Sequence, residues 1–253
     1  MPREMKNSMT TETQNICRYV APFATWIGLQ TLLPATAWAY AARTAATALV
    51  ALALAFRRAD GGRPVWRTIF NSGVCAKPVG GVAPRNDHLS PFTFHLSLFF
   101  GFLVTVLWIA PEFSDFYRTW FCWPIGSLPA PSTEPSPYEP AVCGWTLTIV
   151  KLIGSAFVIA PVEELFFRSF LYRWLQRRDF LSVPLSRFDL SAFLWMIFLF
   201  TLEHDRPLAA ALAGAIYGLL AIRVNLASAI VAHVTTNLLL ALYVIHQNAW
   251  AFW

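Results

Sequence analysis

Long apolar runs separated by short polar stretches divide the chain into seven segments, at about 18–35, 38–56, 92–110, 145–165, 190–204, 207–222 and 226–246. A helix needs roughly 20 apolar residues to cross the hydrocarbon core. Five runs meet that length or come close, and the fifth and sixth are short. The pattern predicts an all-α, polytopic membrane bundle of about seven transmembrane helices, with eight as the alternative count. Between the runs, 57–90 carries Gly and Pro without clear periodicity, and part of it reads as amphipathic. The stretch 111–144 is rich in Pro, Ser and Glu and reads as an extramembrane loop. Two parts are expected: membrane helices with their linker and loop over 1–143, and a helical core over 144–253. Residues 1–16 are polar, and the apolar run after them lacks a convincing cleavage site, so it reads as a retained membrane helix.

Composition agrees with this picture. Hydrophobic residues make up 57% of the 253 and charged residues only 13%, about half the charged share of a soluble domain. The 21 Phe and 11 Trp suit lipid-facing and interfacial positions. The net charge of +5 lies mainly between the apolar runs, so it reads as an orientation signal and not as a nucleic-acid footprint. Base is concentrated in alternate connections: Arg3, Lys6 and Arg18; then Arg57, Arg58, Arg63, Arg67, Lys77 and Arg85; then Arg173, Arg177, Arg178 and Arg187. The intervening 111–144 holds Arg118 against Glu112, Asp115, Glu134 and Glu139. Positive-inside logic places the amino terminus in the cytoplasm. Cys122 and Cys143 then share an external loop, where they can pair as a disulfide in an oxidising compartment or stay as two thiols.

Ionisable groups within membrane helices cost several kcal/mol each and mark candidate function. Glu163 and Glu164 close an apolar run, and Arg168 lies four residues beyond Glu164, on the same helix face. Glu163 points about 100° away. His204 closes the short fifth segment beside Glu203, which is expected to cap or solvate the turn before Pro207. His233 and Asn237 stand one turn apart within the last segment. Each group has a plainer reading by itself: solvation at the interface, or helix–helix adhesion through hydrogen bonds. Together, two carboxylates, two imidazoles, an amide and a guanidinium on hydrophobic helices satisfy one another only by converging, and such a cluster can hold water and handle protons.

At these residues the chain resembles the CAAX-protease and bacteriocin-processing membrane peptidases, whose marks are EExxxR, FxxxH and HxxxN on successive core helices. Here they read EELFFR (Glu163–Arg168), FTLEH (Phe200–His204) and HVTTN (His233–Asn237), in order, within roughly 145–246. PVEELFFRSFLYRWL, LAGAIYGLL and the terminal AWAFW look like a narrower bacterial subset associated with exosortase-type sorting systems. The resemblance implies an intramembrane peptidase of the bacterial inner membrane. Its substrate would be a membrane-anchored protein or peptide, with an exosortase-type system as a partner.

It also implies that Glu163 activates water, with His204, His233 and Asn237 completing the site. An Asn237 amide N–H aimed at the oxyanion would contribute about 3 kcal/mol. Glu164, Arg168 and Phe200 are expected to support the site, the ion pair leaving Glu163 uncommitted. A glutamate-type, metal-free reaction is favoured, so no cofactor is expected; zinc on Glu163, His204 and His233 is the alternative. A proton-coupled transporter, a haem protein with His204 and His233 as axial ligands, and a non-catalytic scaffold are the competing functions. One difficulty is geometric. Counting along the helices sends His204 to the face opposite Glu163 and His233, unless segments five and six form a short hairpin whose tip stops inside the bundle.

Overall fold

A computed structural model describes residues 2–56, 89–114 and 135–253. Seven helical rods emerge: α1 (Pro2–Leu32), α2 (Ala37–Ala55), α3 (Pro91–Ile109), α4 (Pro140–Gln176), α5 (Leu190–Leu202), α6 (Pro207–Arg223) and α7 (Leu226–Gln247). There is no strand among the described residues. Four rods, α2, α3, α4 and α7, are long and apolar enough to cross a membrane, and α5 and α6 are shorter apolar helices. The basic linker lies almost wholly, and Cys122 entirely, outside the described residues. Cys143 itself lies at the start of α4, with its thiol 3.6 Å from Thr148 Oγ1.

The ends of these helices follow from local chemistry. Thr36, Ser90, Asp189 and Asn225 each accept a backbone N–H from the first turn of α2, α3, α5 and α7, satisfying a donor that has no partner within the helix. Pro91, Pro140 and Pro207 start α3, α4 and α6, where a missing N–H costs nothing. Helix α7 stops at Asn248, which adopts the left-handed conformation at φ 52°.

Three boundaries differ from the sequence expectation. Helix α1 begins at Pro2, because the polar amino-terminal residues continue the apolar helix backward. Helix α4 runs on to Gln176, 37 residues in all and about 56 Å long, because LFFRSFLYRWLQ keeps an apolar face past the glutamates. Helix α5 ends at Leu202, so His204 sits in the turn beyond it.

Helix α4 is not uniform. Gly144, at φ 78°, bends its first turns. Two π-helical stretches, Gly154–Ile159 and Leu165–Leu171, flank Glu163 and Glu164. Pro161 supplies no N–H to the carbonyl four residues back, and the wider π turn absorbs that loss. Helix α7 lies along α3 and touches α4 and α6. The approach of α3 to α7 depends on Gly101, where an added Cβ would stand 2.6 Å from the Ala232 carbonyl oxygen. Two aromatic clusters fill the interior. One centres on Phe167, Met196, Phe200 and Tyr217, the other on Trp26, Tyr40, Tyr138 and Leu147. Phe99, Phe102, Phe157, Trp195 and Phe198 point outward, where a bilayer would be their solvent.

Candidate active site

Helix α4 carries Lys151, Ser155, Ile159 and Glu163 at four-residue intervals, so one face of one helix presents all four. That face walls a cavity of about 200 Å³. Helix α7 supplies His233, Thr236 and Asn237 to the same cavity, α6 supplies Tyr217, and the α5–α6 turn supplies His204 and Asp205. All four candidate catalytic residues, Glu163, His204, His233 and Asn237, therefore line one space. Helices α5 and α6 pack together as a hairpin, and His204 at its tip reaches the cavity, as the hairpin hypothesis requires. Its ring lies 4.5 Å from that of Phe200, which in turn is 6.2 Å from His233.

Charge at the inner end of the cavity is held in a chain of contacts. Arg168 Nη1 pairs with Glu164 Oε1 at 3.1 Å, both side chains fully buried. The same Glu164 oxygen lies 2.8 Å from His233 Nδ1. A carboxylate can only accept, so Nδ1 carries the proton and Nε2 is left to face the cavity. His233 Nε2 lies 3.7 Å from Glu163 Oε2, too long for a hydrogen bond and suited to a bridging water. Glu164 thus does more than pair with Arg168: it fixes the tautomer and direction of His233. Among the described residues Glu163 makes no comparably short contact, and it stays available.

His204 is set by its own helix. Its Nδ1 donates to the Phe200 carbonyl at 2.8 Å, which leaves Nε2 as the free acceptor. Asn237 gives one amide N–H to the Ser155 carbonyl at 3.0 Å, within the first π-helical stretch, and retains a second. Phe200 is buried, and the Arg168 guanidinium lies 4.3 Å over its ring; it packs the ion pair and contributes no polar group.

Sequence reasoning missed several residues. The Tyr217 ring stacks on His233 at 4.7 Å and 19°, and its hydroxyl donates to Thr236 Oγ1 at 2.6 Å. Thr236 Oγ1 lies 2.9 Å from the Gly101 carbonyl, so the hydroxyls tie α6 and α7 to α3. A tyrosine between small residues in LAGAIYGLL was the available signal. Glu203 is partly buried and within electrostatic reach of Glu163 and Arg168, so it does not simply solvate its turn.

Glu163 and His233 face a common point, but among the described residues no three His, Cys, Asp or Glu side chains are close enough to hold a metal ion. Catalytic zinc takes three protein ligands and a water.

No curated protein and no solved structure matches the chain. Residues 145–239, which contain every candidate site residue named above from Glu163 to Asn237, match the family model described as Type II CAAX prenyl endopeptidase Rce1-like. Over that part of its length the chain is similar to the Rce1-like CAAX prenyl endopeptidases.

Proposed function

We propose that the chain is an intramembrane endopeptidase in which Glu163 activates water. The observation that carries this reading is the single cavity shared by Glu163, His204, His233 and Asn237 from three parts of the bundle, within the region similar to CAAX prenyl endopeptidases. A water between Glu163 Oε2 and His233 Nε2 gives a proton to the Glu163 carboxylate as its oxygen attacks the scissile carbonyl carbon. The second Asn237 N–H meets the developing oxyanion, and the His204 Nε2 lone pair helps to orient the water. Collapse breaks the C–N bond, and Glu163 returns the proton to the leaving amine. Glu164 holds His233 throughout and takes no proton.

The reading extends to topology and substrate. Seven spans with a cytoplasmic amino terminus put the Arg173–Arg187 end of α4 inside. The cavity runs from Glu163 back toward the start of α4, with Asp205, 64% exposed, at its edge, and so opens toward the opposite side. The substrate is a membrane-anchored protein cut near the bilayer surface. A carboxy-terminal sorting tail of the exosortase type, in a bacterial inner membrane, is the form that the narrower sequence resemblance supports.

Co-expression with a tagged membrane-tail reporter tests the activity. Wild type should release the cleaved fragment, and His233→Ala should not. Addition of o-phenanthroline to isolated membranes should leave the rate unchanged; its abolition would replace the glutamate chemistry with a metal-dependent one.

A further inference from the structure

The proposed chemistry uses only one end of the cavity. At the other end stands Lys151, a cation on the same face of α4, three helical turns and about 18 Å from Glu163. Its ammonium lies 4.2 Å from the Tyr40 ring centre and 4.6 Å from that of Tyr138, and the Tyr40 hydroxyl donates to its backbone carbonyl at 3.3 Å. A second cation reinforces it. Arg43 is buried, with its guanidinium 4.5 Å over Trp26 and 5.0 Å over Tyr40.

Rings stabilise a cation through their quadrupoles but do not neutralise it. Among the described residues no carboxylate comes within ion-pair distance of Lys151 or Arg43. Asp205 faces Lys151 across the cavity from beyond ion-pair distance and lies 3.7 Å from Arg206. Two cations beside aromatic rings, with no carboxylate at ion-pair distance among the described residues, create a demand for negative charge. Tyr40 and Tyr138 are both buried and wall the ammonium from the sides, so the cavity is the direction from which an anion meets it.

We propose that Lys151 is the anion subsite of this cavity and receives a carboxylate of the bound polypeptide, from a chain end or an acidic side chain, about five extended residues from the bond facing Glu163. The proposal rests on the peptidase reading for the identity of the occupant as a polypeptide. It makes Lys151 a specificity residue, and it turns the spacing along α4 into a ruler. A lipid phosphate is the competing anion.

Binding tests it without turnover. The full chain is placed in phosphatidylcholine nanodiscs and titrated with a dye-labelled, palmitoylated ten-residue Ala–Leu peptide, as free acid, as amide, and as amide with a terminal Asp. Fluorescence anisotropy should show the free acid binding wild type about tenfold tighter than the amide, as one charge-assisted contact allows. Lys151→Met should erase that preference and Lys151→Arg should keep most of it. Recovery of tight binding by the Asp peptide would mark any carboxylate as sufficient; no recovery would assign the site to the chain end. Equal binding of acid and amide by wild type, no binding of either, or a preference that survives Lys151→Met overturns the proposal. So does a Lys151→Met chain that loses bound phosphatidylglycerol in native mass spectrometry while keeping the peptide preference. Mass spectrometry of the same peptides separates the two readings: carboxylate preference without cleavage removes the peptidase and leaves the subsite, and cleavage indifferent to the carboxylate does the reverse.

Discussion

The two ends of the cavity treat buried charge in opposite ways. Around His233, one carboxylate is held between partners: Arg168 meets Glu164 at 3.1 Å, and Glu164 meets the imidazole at 2.8 Å. Around Lys151, cations rest against rings, with no carboxylate at ion-pair distance among the described residues. Matched charges in a low-dielectric interior are costly to separate and therefore rigid. Unmatched cations can accept a partner that arrives. The first end is built to hold a fixed geometry and the second to bind.

Breaking the matched end should have the larger effects. Glu164→Gln should lower kcat by on the order of a thousandfold, because the imidazole loses the carboxylate that fixes its tautomer; turnover of a lipid-anchored peptide measures it. Arg168→Met leaves Glu164 buried without its cation and should destabilise the chain by about 3 kcal/mol, read as a lower unfolding temperature in detergent. Tyr217→Phe keeps the ring on His233 and removes one hydroxyl bond, so the loss should be about 1 kcal/mol with turnover within a few-fold of wild type. Lys151→Met should change stability least, by less than about 1 kcal/mol and in the stabilising direction, since no partner loses its ion pair. A large loss of unfolding temperature in Lys151→Met would place that cation among the structural charges and collapse the contrast.

Much of this was legible in the sequence. The seven helical segments follow from apolar run length, and the meeting of Glu163, His204, His233 and Asn237 from the cost of leaving each alone in lipid. The hairpin that returns His204 to the cavity was suggested by the shortness of α5 and α6. What stayed hidden depended on facing direction. Glu164 and Arg168 read as an isolated pair because their spacing is local, whereas the Glu164–His233 contact joins residues 69 apart in the chain. The stacking of Tyr217 on His233 needs the crossing of α6 with α7, which no periodicity encodes. Lys151 differs: it stands inside TLTIVKLIGSAF, so the cost of a cation within an apolar helix was an available signal, and it went unread. The extension of α4 past Leu165 was hidden because the charged residues Glu163, Glu164 and Arg168 interrupt the apolar run, whereas the helix continues through two π-helical stretches.

The central claim is that Glu163, turned toward the cavity beside His233, activates the attacking water. Purified chain in liposomes, incubated with a lipid-anchored reporter and followed by mass spectrometry of new peptide ends, tests it most directly. Wild type should generate a defined new terminus, and Glu163→Gln, folded with an unfolding temperature near that of wild type, should generate none above background. Cleavage at the same bond and a comparable rate by Glu163→Gln would contradict the account.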